Sequence, residues 1–433
     1  MLFIDFFFII FLNPINSLLT LNFKRNLTKD LSPDNLMDNL FKNDIYTYLD
    51  IGTPNQKIPI SIKLQTYSFY IVSSESEISL KTFSSKDSKT FYSSNNYIRN
   101  IMNEDFNYAF FSSDIITLSN INKKNNFSFF LVKNISNNEI YEGGGIGLNI
   151  KSKSQNIEKI NFLYELKEQK LISSYTFTIK YKNDKEGELI IGKKPHEYDN
   201  ERYKNDFFHY SNLPIYSYDF QWGLYFDKVQ YGNIDLNKRI NQYLLFEIEL
   251  GFIISNSEYQ NFIEKNFFEK YFNENKCFIG KFGKEGYKYF YCNEDVDISL
   301  MKNLSFYNKD LNYTFELNYK DLFYNFKGKN YFLVVFPWYM GLQWRMGFPF
   351  FKKYQLIFDS ENKIIGIYDR IFEKKSIFLK FWKNNLIILL IIIIAFLIFY
   401  IIRNIKNKSR KIRANELNEN YEYLPEIIEN KLY

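Results

Sequence analysis

From Tyr46 to Ser74 the chain carries two runs of β-branched and aromatic residues, Tyr46 to Ile51 and Ile58 to Val72, on either side of Gly52-Thr53-Pro54-Asn55. Turn residues between two such runs specify a pair of β-strands rather than helices. The rest of the chain agrees with that start. Its 36 Tyr and 46 Phe, against 17 Gly and 9 Pro, favour pleated, half-buried surfaces. With 433 residues, 46% of them hydrophobic, it is long enough for two domains or one large two-lobed domain with a sizeable core. The net charge of +6 is spread along the sequence and balanced by 49 acidic residues, which reads as solvation and not as a nucleic-acid surface. Two Cys (Cys277, Cys292) and two His (His196, His209) are too few for a Cys/His zinc cluster, and no metal is expected.

The two ends carry targeting signals. Leu2 to Leu12 is an apolar run before Asn13-Pro14-Ile15-Asn16-Ser17, as in a signal peptide spanning 1–17, although Asp5 stands where a basic start is usual. Leu386 to Ile402 is uncharged and apolar, and Phe381 and Trp382 extend it to a transmembrane helix over 381–402. Arg403, Lys406, Lys408, Arg410, Lys411 and Arg413 follow, a basic flank that marks the cytoplasmic side. The expected topology is single-pass type I, with a cytoplasmic tail over 403–433 and the large part lumenal or extracellular, in the secretory pathway, a vacuole or at the cell surface. Tyr421-Glu-Tyr-Leu424 in that tail has the form of a sorting signal. On the lumenal side Asn26, Asn126, Asn134, Asn303 and Asn312 each have Ser or Thr two residues on and are candidate glycosylation sites.

The order of motifs resembles the pepsin-like aspartic peptidases. In that family a strand ending Ile-Gly-Thr-Pro leads into a strand carrying Asp-Thr-Gly-Ser; here the second strand reads Leu64-Gln65-Thr66-Tyr67-Ser68. Phe83 to Phe91, Asp114-Ile-Ile-Thr-Leu118, Gly147-Leu148, the amphipathic segment 161–171 with Phe162, Leu163 and Leu166 on one face, and Gly187 to Gly192 then follow in family order. The glycines at 143–145 and 147 do not make a dinucleotide or P-loop motif, so no nucleotide cofactor is implied. The flap, which in the family is a mobile Gly-containing hairpin, falls near Ile101 to Phe106 and contains no Gly. Trp222 to Gly232 resembles the opening of the second lobe, and Trp344 to Gly366 the closing run, with Phe348 where the family has Asp after Gly. Two Cys this close, bracketing a hairpin-like segment in an oxidising lumen, are expected to form one disulfide, and the family carries one in this place.

The resemblance implies a mostly β, two-lobed acid-protease fold followed by one transmembrane helix. Its parts are a propeptide-like lead or tether over 18–44, an N-terminal lobe over 45–208 and a C-terminal lobe over 209–372. It also implies where catalysis should sit. The family's reaction needs two carboxyl groups, one from each lobe, that share a proton while activating a water. The first position is Gln65, which cannot act as a base. The second is Glu247 if spacing is counted from Trp222, or Glu249 if the following Gly is the anchor. Rescue by Glu75 or Glu77, or serine-type chemistry with His196 or His209, lacks the needed positioning. The expectation is therefore a catalytically inactive, monomeric member that binds an extended peptide in its interlobe cleft by strand addition. The alternatives are residual aspartic-type proteolysis using Glu247 or Glu249, and a surface structural glycoprotein with a vestigial cleft.

Overall fold

The computed structural model describes residues 18–25, 36–41, 45–76, 81–99, 108–118, 123–134, 143–150, 160–214, 221–236, 242–283, 286–337, 343–373 and 377–422. The signal segment 1–17, Asn26, the flap tip, Glu77 and Leu424 lie outside them. Two compact units divide the chain, Met1–Ile371 and Phe372–Tyr433.

The first unit is mostly β. The expected pair of strands is present as β2 (Ile45–Ile51) and β3 (Gln56–Lys63), antiparallel, with Ile51 opposite Gln56 across the Gly52 turn. Alternate residues of β2 point inward, burying Ile45, Leu49 and Ile51. Beyond Gln65 the chain re-enters the sheet as β4 (Phe69–Val72).

Part of the segment read as lead or tether belongs to the sheet. Leu19–Arg25 is a strand, β1, antiparallel to Glu186–Ile191 along its length and joined to β2 at Lys24 and Arg25. Its Leu-Thr-Leu-Asn-Phe-Lys-Arg alternation buries Leu19, Leu21 and Phe23, the period-2 signature of a strand with one covered face. Leu36–Phe41 forms a short helix, α1, whose Leu36, Met37 and Leu40 are buried.

The segment after the first lobe, Phe208–Asn212, is also a strand. It pairs with Ile364–Tyr368 near the end of the domain, and the neighbouring Ile357–Asp359 pairs with Thr176–Tyr181 of the first lobe. One sheet thus runs continuously from the last strands of the domain through the first lobe. Three smaller sheets, of 5, 4 and 4 strands, build the second lobe. Aromatic packing bonds the two halves. Phe177 stacks on Phe358 at 4.9 Å between centroids, and Trp222 meets both rings edge-on at 5.6 and 5.0 Å. The Trp222 indole N–H, fully buried, donates to Leu148 O at 2.8 Å and so has the partner that a buried indole requires.

Asn161 caps the helix Phe162–Glu168, its Oδ1 accepting from the N–H groups of Leu163 and Tyr164. The face expected from the sequence, Phe162, Leu163 and Leu166, is the buried one. Cys277 and Cys292 sit opposite each other on an antiparallel pair and are bonded. The second unit is a single helix, Ile377–Glu422, whose stretch Leu390–Asn415 is long and apolar enough to cross a membrane.

Candidate functional site between the lobes

Each lobe threads a loop between two strands that flank a third. In the first lobe β3 runs parallel to Gly144–Gly147, and β4 pairs with the same strand antiparallel. In the second, Gln242–Phe246 runs parallel to Trp344–Met346, and Ile254 pairs with Arg345 of that strand antiparallel. A glycine just beyond or at the end of each central strand lets the loop pass. A Cβ at Gly147 would lie 2.4 Å from the Tyr67 carbonyl carbon and 2.7 Å from Thr66 O and Ser68 O. A Cβ at Gly347 would lie 2.4 Å from Leu250 O and 2.2 Å from Phe252 O. Matching the two glycines sets Thr66 against Leu250 and Ser68 against Phe252. Gln65 therefore corresponds to Glu249. This is the alternative anchored on Gly251; Glu247, the position counted from Trp222, stands two residues earlier on the loop.

The two corresponding side chains reach across to the opposite lobe's backbone. The Gln65 amide Nε2 donates to Phe246 O at 2.8 Å. Glu249 Oε1 accepts from Leu64 N at 2.6 Å and from Gln65 N at 3.3 Å. Both oppositely placed groups are thereby consumed in holding the lobes together. Glu249 Oε2 is shut off from solvent and, among the described residues, has no hydrogen-bond partner; the same holds for the hydroxyl of Thr66. Burial, reinforced by the nearby Glu247 charge, pushes the Glu249 carboxyl from 4.5 up to about 7, against the pull of Lys63 and the backbone N–H bonds. Glu247 is pushed up by burial too, and Arg345 works against that push. It pairs with Arg345 Nε at 3.2 Å; its side chain is 9% exposed and that of Arg345 37%.

Around these groups lies a pocket of about 400 Å³ lined by Lys63, Gln65, Thr66, Asn149, Gln221, Leu245, Glu247, Glu249 and Arg345. Asn149 steadies its floor, donating to Gln65 O at 2.9 Å. Tyr67, in the Gly position of the family's motif, turns away from this pocket and lines another of about 330 Å³ with Tyr164 and Tyr175. Its carbonyl accepts from Asn161 Nδ2. Helix α1 closes on the second lobe's loop: Gly251 N donates to Leu40 O at 2.7 Å, and Gly283 N to Asp38 Oδ1 at 3.1 Å. Leu36, Met37 and Leu40 share a core with Leu250, Phe252, Tyr287, Tyr289 and Tyr331. None of the α1 residues lines the 400 Å³ pocket.

The remaining candidates lie elsewhere. Glu75 is held by Lys86 and Lys133. His196 contacts the Tyr368 hydroxyl and His209 contacts Asp369, and neither lines the pocket. Phe348 is buried, with the Arg25 guanidinium 3.5 Å from its ring centroid, and burial lowers that arginine to about 10. Asn126, Asn303 and Asn312 are exposed. Sequence reasoning passed over Arg345, Lys63, Asn149 and Gln221. The signal for the first two was present: a charged residue inside an otherwise apolar strand, Ile-Ser-Ile-Lys-Leu and Leu-Gln-Trp-Arg-Met.

Two lobes, each with a glycine-backed loop presenting one side chain to a shared cleft, define the architecture of a pepsin-like acid protease. The family model of the eukaryotic aspartyl proteases matches residues 44–369, and the chain belongs to that family. No curated protein matches the sequence.

Proposed function

We propose that this chain is a membrane-anchored member of the aspartyl protease family that has given up peptide hydrolysis and retains its interlobe pocket for binding an extended peptide. The observation that carries the reading is the amide of Gln65 donating to Phe246 O while Glu249 Oε1 is held by two backbone N–H groups. Hydrolysis by this fold needs two carboxyl groups that share one proton and face the same water. An amide neither accepts that proton nor shares it. Of the two carboxyls in the pocket, Glu249 is bound to backbone donors and Glu247 to Arg345, and both stand on the second lobe's loop rather than one on each lobe. The pocket beside it remains open, with polar and charged walls suited to a peptide's side chains.

The apolar helix followed by basic residues supports single-pass insertion with the domain outside the cytosol. The test uses the full chain in detergent against a library of extended peptides at mildly acidic to neutral pH. Binding without cleavage is expected. Cleavage that a statine-type transition-state analogue blocks, and that Glu249→Gln abolishes, would overturn the reading.

A further inference from the structure

We propose that the floor of the interlobe pocket is a carboxylate-binding site, with the outward edge of the Arg345 guanidinium as its anchor. This rests on the peptide-binding reading above and names the chemistry that the pocket selects. Arg345 lies on the central strand of the second lobe's loop motif, paired with Leu245 and Ile254, so its backbone is fixed from both sides. Its Nε is spent on Glu247 at 3.2 Å, and among the described residues no other group bonds to the remaining guanidinium N–H groups. Arg345 lines the pocket, and its side chain is 37% exposed. A planar fork held by its Nε, with its Nη edge open, is the geometry that receives a carboxylate through two parallel hydrogen bonds. Glu247 acts here as a positioning residue, fixing the plane of that fork.

Two further features favour a singly charged ligand group. The Gln221 amide lines the same wall and, among the described residues, has no partner, which leaves its N–H groups available to a second oxygen. Arg345 and Lys63 line the pocket, and burial favours the protonated form of Glu249, so the wall offers a guanidinium beside a carboxyl that repels an anion weakly. A carboxylate fits a guanidinium fork with one neighbouring amide donor. Two sources supply such a group, an acidic side chain within the peptide and its C-terminus.

The experiment measures binding of the full chain in detergent to three peptide sets: one internal Glu with an amidated C-terminus, the same with Gln, and no acidic side chain with a free C-terminus. Glutarate alone is the fourth probe. The expected result is that one carboxylate-bearing set binds about 10–100-fold more tightly than the Gln set, the effect of a charge-assisted bidentate contact. Which set does so identifies the source. Arg345→Gln should erase the preference and Arg345→Lys should keep only part of it. Because Arg345→Gln leaves Glu247 buried without its partner, Glu247→Gln/Arg345→Gln is measured beside it, and it should lose the preference while staying folded. Peptides that bind equally with Glu, Gln or a free terminus overturn the carboxylate site and leave the peptide reading standing. Glutarate binding that needs Arg345, with no peptide bound, upholds the carboxylate site and sinks the peptide reading. Absence of binding to every probe overturns both.

Discussion

Positions 65 and 249, which the loop geometry sets opposite each other, carry an amide and a carboxyl. Gln65 gains a donor, and the donor finds Phe246 O at 2.8 Å. Restoring Gln65→Asp would therefore replace an N–H···O bond with a carboxylate facing a carbonyl oxygen. Loss of that donor, together with an unmatched buried oxygen, should cost about 1–3 kcal/mol in chemical denaturation. It should restore no cleavage, since Glu249 remains bound to Leu64 N and Gln65 N. Glu249 carries its own signature. Its folded pKa of about 7 stands above the ordinary 4.5, so the folded protein keeps a proton that the unfolded chain releases. The stabilisation is complete below about pH 4.5 and is lost as pH rises through 7. That shift corresponds to about 3 kcal/mol across the window. Glu249→Gln keeps the acceptor oxygen but does not titrate, so the difference between the two proteins' stability curves should show this slope. A flat difference would mean that the carboxyl is ionised throughout.

The elements beside these residues differ in how far the sequence exposes them. The hairpin at Gly52 and the helix after Asn161 are legible because their signals are local, a turn between β-branched runs and a cap before an apolar face. Strand β1 is not, although it alternates, because its partner Glu186–Ile191 lies far along the chain and only pairing shows that the segment is structural. The choice between Glu247 and Glu249 fails for a similar reason. Counting from Trp222 and counting back from Gly251 disagree by two residues, and the close approach of Gly347 to Leu250 and Phe252 favours Glu249 as the counterpart of Gln65. Helix α1 makes its own test. A Cβ at Gly251 would lie 2.5 Å from Leu40 O, which is backbone and cannot give way without moving the helix. Gly251→Ala should release α1 and strip its Gly251 N–H bond, so limited proteolysis should cut between residues 26 and 44 several-fold faster while the Cys277–Cys292 lobe resists. Unchanged cleavage there would show that α1 is not held by this contact.

At the scale of the whole molecule, two units of opposite character share one chain, a β domain with a disulfide and a helix whose uncharged apolar run is exposed from Leu390 to Ile402. Such an exposed apolar run is stable only where lipid covers it. The proposed direction rests on charge: Arg403, Lys406, Lys408, Arg410, Lys411 and Arg413 follow the uncharged run that ends at Ile402, and short basic segments favour the cytosolic side. The proposed topology would place the domain in an oxidising lumen, where a bonded Cys277–Cys292 pair would persist and where exposed Asn303 and Asn312 would be open to glycosylation. In sealed microsomes, added protease should remove the tail beyond 403 and spare a fragment that carries the disulfide. Treatment with an endoglycosidase should then shift that fragment to lower mass, and Asn303→Gln with Asn312→Gln should reduce the shift. Digestion of the domain in intact microsomes, with the tail protected, would place it in the cytosol and leave the disulfide without a compartment to sustain it.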